Sequence, residues 1–510
     1  MDAPMPRRDP GDIVETHAPD QFSGVVLRGS FHIGLSQAVG VGCMIGSVLI
    51  LSRLLSAEDF GLVAMIAPVM ALLMMFRDLG LLQAVVQKED LTYGQLNTLF
   101  WVNMSLSLAL MALLWSAAPW IAAFYNAPDL VWLIRAMAGG ILLTGLGAQH
   151  FALMNRQMMF GRMAINASVV GVLSLVVAVF WAWVAPSPWA LVAGTLSSAV
   201  LGAILVWLWV PWRPGLPGWA PGSAALFGFG AGVTGFNLAN FFSRNLDSVL
   251  IGRVWGSAAL GFYDRAYKLL LFPLNHVAQP LSQVMVPVLS RLQNQPERYK
   301  HAFFRVFGIM QLAILPGVAA ATAMADTAVP FLLGAKWAEA APIFAALGLA
   351  ALMQPLGNPS GWLFISQGRT TEMAWWGVVS AILTCGAFVL SVEHGVVALA
   401  TTYAAVSAVR LIPLWLLVCR KGPVRIDSLI ARVLPVLMAV VAAYAMLLML
   451  RDALPDADFA KLVVGTLCSY GVFAAVFAIS PFGRQTLREA LALGSQGIAR
   501  LRVNQADGLT

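Results

Sequence analysis

Charge is what this sequence has least of. Only 11% of its 510 residues are charged and 59% are hydrophobic, against about a quarter charged in a water-soluble globular domain. A chain of this composition is read as a polytopic membrane protein. Paired cysteines are lacking too. Cys43, Cys385, Cys419 and Cys468 stand singly in apolar surroundings with no CxxC spacing, so they are read as packing residues rather than disulfide or metal ligands. The six histidines form no HExxH motif, and no metal or other cofactor is expected. No GxxxxGK[ST] phosphate loop occurs, which removes the usual P-loop route to ATP hydrolysis. Long polar stretches are missing as well. The main breaks, "WRPGLPGWAPG" (212–222), "RLQNQPERYK" (291–300) and "CRKGPVRID" (419–427), are too short for an extramembrane domain. Whatever the chain does, it does in the bilayer.

What is abundant is apolar runs. A membrane-crossing helix needs about 20 mostly apolar residues, and such runs fall at 30–52, 60–84, 96–120, 130–153, 162–185, 188–210, 225–251, 258–288, 302–325, 339–366, 371–391, 395–418, 430–450 and 459–480. The expected fold is all-α, with about fourteen transmembrane helices. Lys and Arg outnumber Asp and Glu by 31 to 24. In a membrane protein that surplus collects in cytoplasmic loops rather than marking nucleic-acid binding, and its distribution places both termini in the cytoplasm. The start, "MDAPMPRRDPGDIVETHAPDQFSG", lacks the apolar core of a cleavable signal and reads as a cytoplasmic tail.

A weak internal repeat sets the larger plan. "SVLILSRLLSAEDFG" (47–61) returns as "SVLIGRVWGSAALG" (248–261), and Leu81, Gln83 and Val86 return as Leu281, Gln283 and Val286. It relates six helices to the next six by an axis along the membrane normal. The expected organisation is a tail (1–28), an N-lobe of helices 1–6 (29–211), a linker (212–224), a C-lobe of helices 7–12 (225–418), two additional helices (419–482) and a C-terminal tail (483–510). Two pseudo-symmetric lobes would enclose a central cavity.

Against this apolar background, "FSRNLDSVLIGRVWGSAALGFYDRAYKLLLFP" (242–273) gathers Arg244, Asp247, Arg253, Asp264, Arg265 and Lys268. On the seventh helix Asn237, Asn240, Arg244 and Asp247 recur at three, four and three residues, one stripe of the helix. Ionised groups at mid-bilayer cost on the order of 2.5–3.5 kcal/mol, so such a stripe lines a pathway or pairs within itself, Arg244 with Asp247. Asp264 and Lys268, four apart, are a second possible pair. Arg53, Arg77 and Asp78 are secondary candidates in the first half. Glu58 and Asp59 read as the N-terminal cap of the second helix rather than as catalytic acids.

"SRLLSAEDFGLVAM", "FRDLGLLQAVVQ", "NLDSVLIGRVWGSAALGFYDRAYKL" and "VPVLSRLQNQPERYKHAFFRV" resemble the polysaccharide transporter family of the multidrug/oligosaccharidyl-lipid/polysaccharide exporter superfamily, above all its lipopolysaccharide and exopolysaccharide flippases. The resemblance runs from about residue 22 to about 425. It implies a bacterial inner-membrane flippase whose substrate is an oligosaccharide joined through pyrophosphate to a polyprenol, with polysaccharide polymerase and chain-length machinery as partners beside membrane lipids. It also implies cavity arginines on the pyrophosphate, for which Arg244, Arg265 and Lys268 are the positional candidates. The nearly uncharged first helix departs from relatives with a basic cluster there. Without ATP, the drive would be the membrane potential, about 2.3 kcal/mol per charge per 100 mV, or a proton or sodium ion exchanged at Asp247. Two rivals are a cation-coupled drug antiporter of the same superfamily, which the four basic against two acidic residues of helices 7 and 8 disfavour, and a membrane glycosyltransferase or polymerase, which would need a larger outer loop.

Overall fold

A computed structural model describes the backbone of residues 22–78, 85, 88 and 90–492, and their side chains except at 22–33, 78, 224–240, 272–276 and 452. The described residues are helical apart from the segments that connect the helices, and none of them is in a strand. Twelve of its helices are long and apolar enough to cross a membrane. These are α1 (Gly34–Leu54, continuing Phe22–Gly46 through a π-turn), α2 (Ala57–Arg77), α3 (Tyr93–Tyr125), α4 (Leu130–Arg156), α5 (Phe160–Val184), α6 (Trp189–Trp209), α9 (Pro296–Ala323), α10 (Ala340–Ser366), α11 (Thr370–His394), α12 (Val396–Cys419), α13 (Ile426–Met449) and α14 (Asp458–Phe477). Each falls on an expected run. The other two runs lie in one long helical stretch, Ala224–Arg291, broken at Gly256 into α7 (224–255) and α8 (257–291). Gly256 has φ 82°, a left-handed backbone that glycine adopts without strain.

Local chemistry explains the ends. Thr92 and Gln95 form a reciprocal capping box ahead of α3, and Asn126 closes that helix with φ 54°. The helix therefore outruns its apolar core of 96–120. Before α2, Asp59 Oδ2 accepts from the Ser56 backbone N at 2.8 Å and from its hydroxyl at 2.6 Å, so of the acidic pair it is Asp59 that caps the helix.

The chain packs as two compact units, residues up to Asp264 and residues from Arg265 on. The 212–224 segment, where the sequence suggests a linker, lies inside the first unit. Its backbone is tied to α3, where Asn97, Thr98 and Trp101 hydrogen-bond to carbonyls of Leu216, Gly218 and Gly215. In the first unit α3 packs on α4, α4 on α6, α5 on α6 and α1 on α5. In the second, α9 packs on α10, α10 on α12 and α11 on α12, the same order six helices later. α13 and α14 pack on each other and on α9.

Large apolar residues such as Trp120, Trp183, Leu390 and Met449 are exposed. In water this would be an aggregating surface, and against lipid it is the ordinary exterior.

Candidate substrate and coupling sites

The charged stretch folds back on itself at Gly256. Tyr263, seven residues beyond the break, reaches Asp247, nine before it: the phenol donates to Asp247 Oδ2 at 2.7 Å, and the Ser248 backbone N donates to Oδ1 at 2.7 Å. Asp247 is 5% exposed and Tyr263 1%. The pairing of Asp247 with Arg244 is not formed. Arg244 is exposed, and the carboxylate takes its hydrogen bonds from Tyr263 and Ser248 instead. The reason is steric proximity: the reversal at Gly256 brings a phenol to the carboxylate, while Arg244, three residues away, is left on the exposed side. Arg253 is exposed with its guanidinium 5.6 Å from the Phe124 ring centre. Arg53 is exposed and Asp264 half-buried. Arg265, the first residue of the second unit, is buried, and Lys268 is exposed. The side chains of Asn237, Asn240 and Asp78 lie outside the described residues, so the four-residue stripe is described only at Arg244 and Asp247.

Arg77 has a different setting. It lines a cavity of about 450 Å³ inside the first unit, formed by α2 through α6. At 9% exposure it is buried, and its Nη1 donates to the Thr144 hydroxyl. That hydroxyl is positioned in turn by the carbonyls of Gly140 and Ile141 at 2.9 and 3.0 Å. Asn103, Gln149 and Asn166 add polar atoms to the same wall. Oε1 of Gln149 and Oδ1 of Asn166 are buried and meet no hydrogen-bonding group of the described protein. Two acceptors without donors beside a guanidinium suit a solute that brings hydroxyl groups and negative charge. Met70, Met74 and Met137 make the rest of the wall soft and adaptable.

Sequence reasoning names Arg77 only as a secondary candidate and does not single out Asn103, Thr144, Gln149 or Asn166. They are scattered polar residues within long apolar helices, and only packing brings the side chains of α3, α4 and α5 to one wall with Arg77. Tyr263 stood inside the quoted stretch but carried no charge to mark it.

A family model described as "Polysaccharide biosynthesis protein" matches residues 50–342, more than half of the chain. The chain belongs to this family. Among family-like proteins, the teichuronic acid biosynthesis protein TuaB of Bacillus subtilis (strain 168) is 28% identical over 67% of this chain and 71% of its own length. The lipopolysaccharide biosynthesis protein WzxC of Escherichia coli (strain K12) is 23% identical over 67% and 70%. The succinoglycan biosynthesis transport protein ExoT of Rhizobium meliloti (strain 1021) is 28% identical over 69% and 72%. Among solved structures, the lipid II flippase MurJ superposes with TM-score 0.68 at 14% identity, covering 89% of this chain and 99% of that one. An inward-facing multidrug MATE transporter of the MOP superfamily gives TM-score 0.58 at 14% identity over 74% and 94%. These likenesses establish the fold of the polysaccharide biosynthesis family member as that of the MurJ and MATE transporters.

Proposed function

We propose that this multi-pass membrane protein carries a lipid-linked oligosaccharide from the inner to the outer leaflet of the bacterial cytoplasmic membrane, both termini being cytoplasmic, as a transporter and not an enzyme. The observation that carries the reading is Arg77, a guanidinium buried in a cavity whose mostly apolar wall carries a few polar side chains, within a bundle of membrane-spanning helices. The lipid tail can remain in hydrocarbon while the head crosses, and the head then needs counter-charge and hydrogen-bond partners in place of water. Arg77 with Thr144, Gln149 and Asn166 supplies both. Arg265, buried in the second unit, is the second candidate for the pyrophosphate, with exposed Arg244 and Lys268 as approach charges. The relatives' names, each concerned with a sugar-containing envelope or exported polymer, support the substrate class.

With no phosphate loop in the sequence, the drive is the inside-negative potential acting on the anionic head or ion exchange at Asp247. A polymerase receiving the product outside is the natural partner. Deleting the gene and extracting lipid-linked intermediates tests the reading: a defined glycolipid accumulates on the inner leaflet. Unchanged glycolipids with altered drug tolerance would instead favour a cation antiporter, the reading suggested by the MATE fold.

A further inference from the structure

A second cavity, of about 200 Å³, lies wholly within the second unit. It is bounded by the first turns of α9 and α13 and by a short helix at 481–492. Six of its lining residues ionise: Glu297, Lys300, His301, Arg305, Arg432 and Glu489. The two acids are already engaged. Lys300 Nζ stands 2.8 Å from Glu297 Oε1, and Arg305 Nε 3.0 Å from Glu489 Oε2.

Arg432 remains. Its guanidinium lies over the Phe304 ring at 4.0 Å and is 5.7 Å from the Phe482 ring centre, a clamp that fixes the charge without neutralising it. Its Nη1 donates to the Ser428 carbonyl at 2.8 Å, and among the described residues no carboxylate lies within ion-pair distance of it. A half-buried guanidinium with a planar fork of donors and no counter-ion, beside a second arginine and a lysine, is built for an oxyanion. Ser428 and Thr486 hydroxyls lie on the same wall.

The surroundings indicate the depth. Ile430, Leu434 and Met438, four apart on α13, are each more than half exposed, the pattern of a helix face against lipid. The cavity opens at the helix end where that face begins, which is where lipid headgroups lie.

We propose that this cavity is a phosphate-binding site, held by Arg432 with Lys300 and Arg305. The phosphate comes either from the headgroup of a membrane phospholipid or from a soluble phosphate compound. The site shares no residue with the cavity around Arg77 and does not depend on the transport reading.

The full-length protein, purified in detergent, is titrated with dioctanoyl phosphatidylglycerol, dioctanoylglycerol and inorganic phosphate, and binding is read by native mass spectrometry and thermal shift. Phosphatidylglycerol binds and dioctanoylglycerol does not. Arg432→Gln weakens binding about tenfold or more, the loss of a charge-assisted hydrogen bond, and Arg432→Lys, which keeps the charge without the planar fork, restores it only in part. Binding of phosphatidylglycerol alone identifies a lipid source, and binding of inorganic phosphate a soluble one. Should Arg432→Gln not fold, Lys300→Gln, at a half-buried position of the wall, is used and weakens binding about threefold. Equal binding of dioctanoylglycerol and phosphatidylglycerol, or unchanged affinity in the folded variant, overturns the proposal.

Discussion

Gly61 of α2 lies against the backbone carbonyl of Ser257, so close that a Cβ on residue 61 would overlap it. Gly261 of α8 lies in the same way against the carbonyl of Ala57. The two contacts exchange under a shift of 200 residues, residue 61 meeting 257 and residue 261 meeting 57. Reciprocity of that kind is the mark of an isologous contact about a two-fold axis, and 200 is the offset at which the repeat between 47–61 and 248–261 ends, Gly61 on Gly261.

Gly61→Ala and Gly261→Ala therefore have equal effects. Each forces two helix ends apart against backbone atoms, which cannot rotate aside, at about 1–3 kcal/mol. Gly139→Ala, with nothing within 4 Å of the added carbon, leaves stability unchanged. Thermal unfolding of the three variants in detergent checks this, and a large inequality between the first two would deny the local symmetry.

The Asp247–Tyr263 bond is a buried charge–phenol contact. Tyr263→Phe leaves one carboxylate oxygen without its donor and lowers stability by about 1–3 kcal/mol. Asp247→Asn costs less, because the amide oxygen still accepts from the phenol. If Asp247 also exchanges the coupling ion, transport by the Asn variant loses its response to an imposed ion gradient while its response to potential persists. Vesicle uptake with each gradient imposed separately distinguishes these.

Arg77→Gln removes the buried positive charge but keeps a hydrogen-bond donor for Thr144. Surface polysaccharide in cells carrying it falls about tenfold or more, the equivalent of 1.4 kcal/mol. Arg77→Lys rescues it only in part, since a lysine lacks the planar fork. Thr144→Val, which keeps the charge and removes one hydrogen bond to it, has the smaller effect.

Arg369 ties the turn before α11 to the end of α12, its Nη2 donating to the Leu417 carbonyl at 2.8 Å and its Nη1 to the Val418 carbonyl at 2.7 Å. The same guanidinium meets Glu372 at 2.6 Å. Arg369→Ala frees several carbonyls at once, and the 420–425 loop becomes open to protease, seen as faster cleavage there in limited proteolysis. Arg162, which donates to the Trp209 carbonyl at 3.0 Å, makes the corresponding tie at the end of α6. Its alanine variant is milder because only that one bond is lost.

Much of the fold could be read before any coordinates, because crossing a membrane imposes length and apolarity on each helix independently of its neighbours. The break between α7 and α8 was visible as a gap between apolar runs, though not that Gly256 would make it. The helix pair 340–357 and 360–366 was expected as one run, since Asn358 and Pro359 interrupt the helix without interrupting its apolar character. The site was less legible. Charge pointed to Arg244, Asp247, Arg265 and Arg77, but spacing along one helix could not tell that Asp247 would meet a phenol from the next. Nor could it tell that Asn103, Thr144, Gln149 and Asn166, on three different helices, would surround Arg77.

The most direct measurement reconstitutes the purified chain in vesicles holding a fluorescent lipid-linked oligosaccharide in the inner leaflet and follows the glycan's arrival at an external lectin under an imposed potential. The account requires faster arrival than in protein-free vesicles and loss of that acceleration in the folded Arg77→Gln, Arg265→Gln double variant. Arrival no faster than in empty vesicles, or undiminished in the double variant, contradicts it.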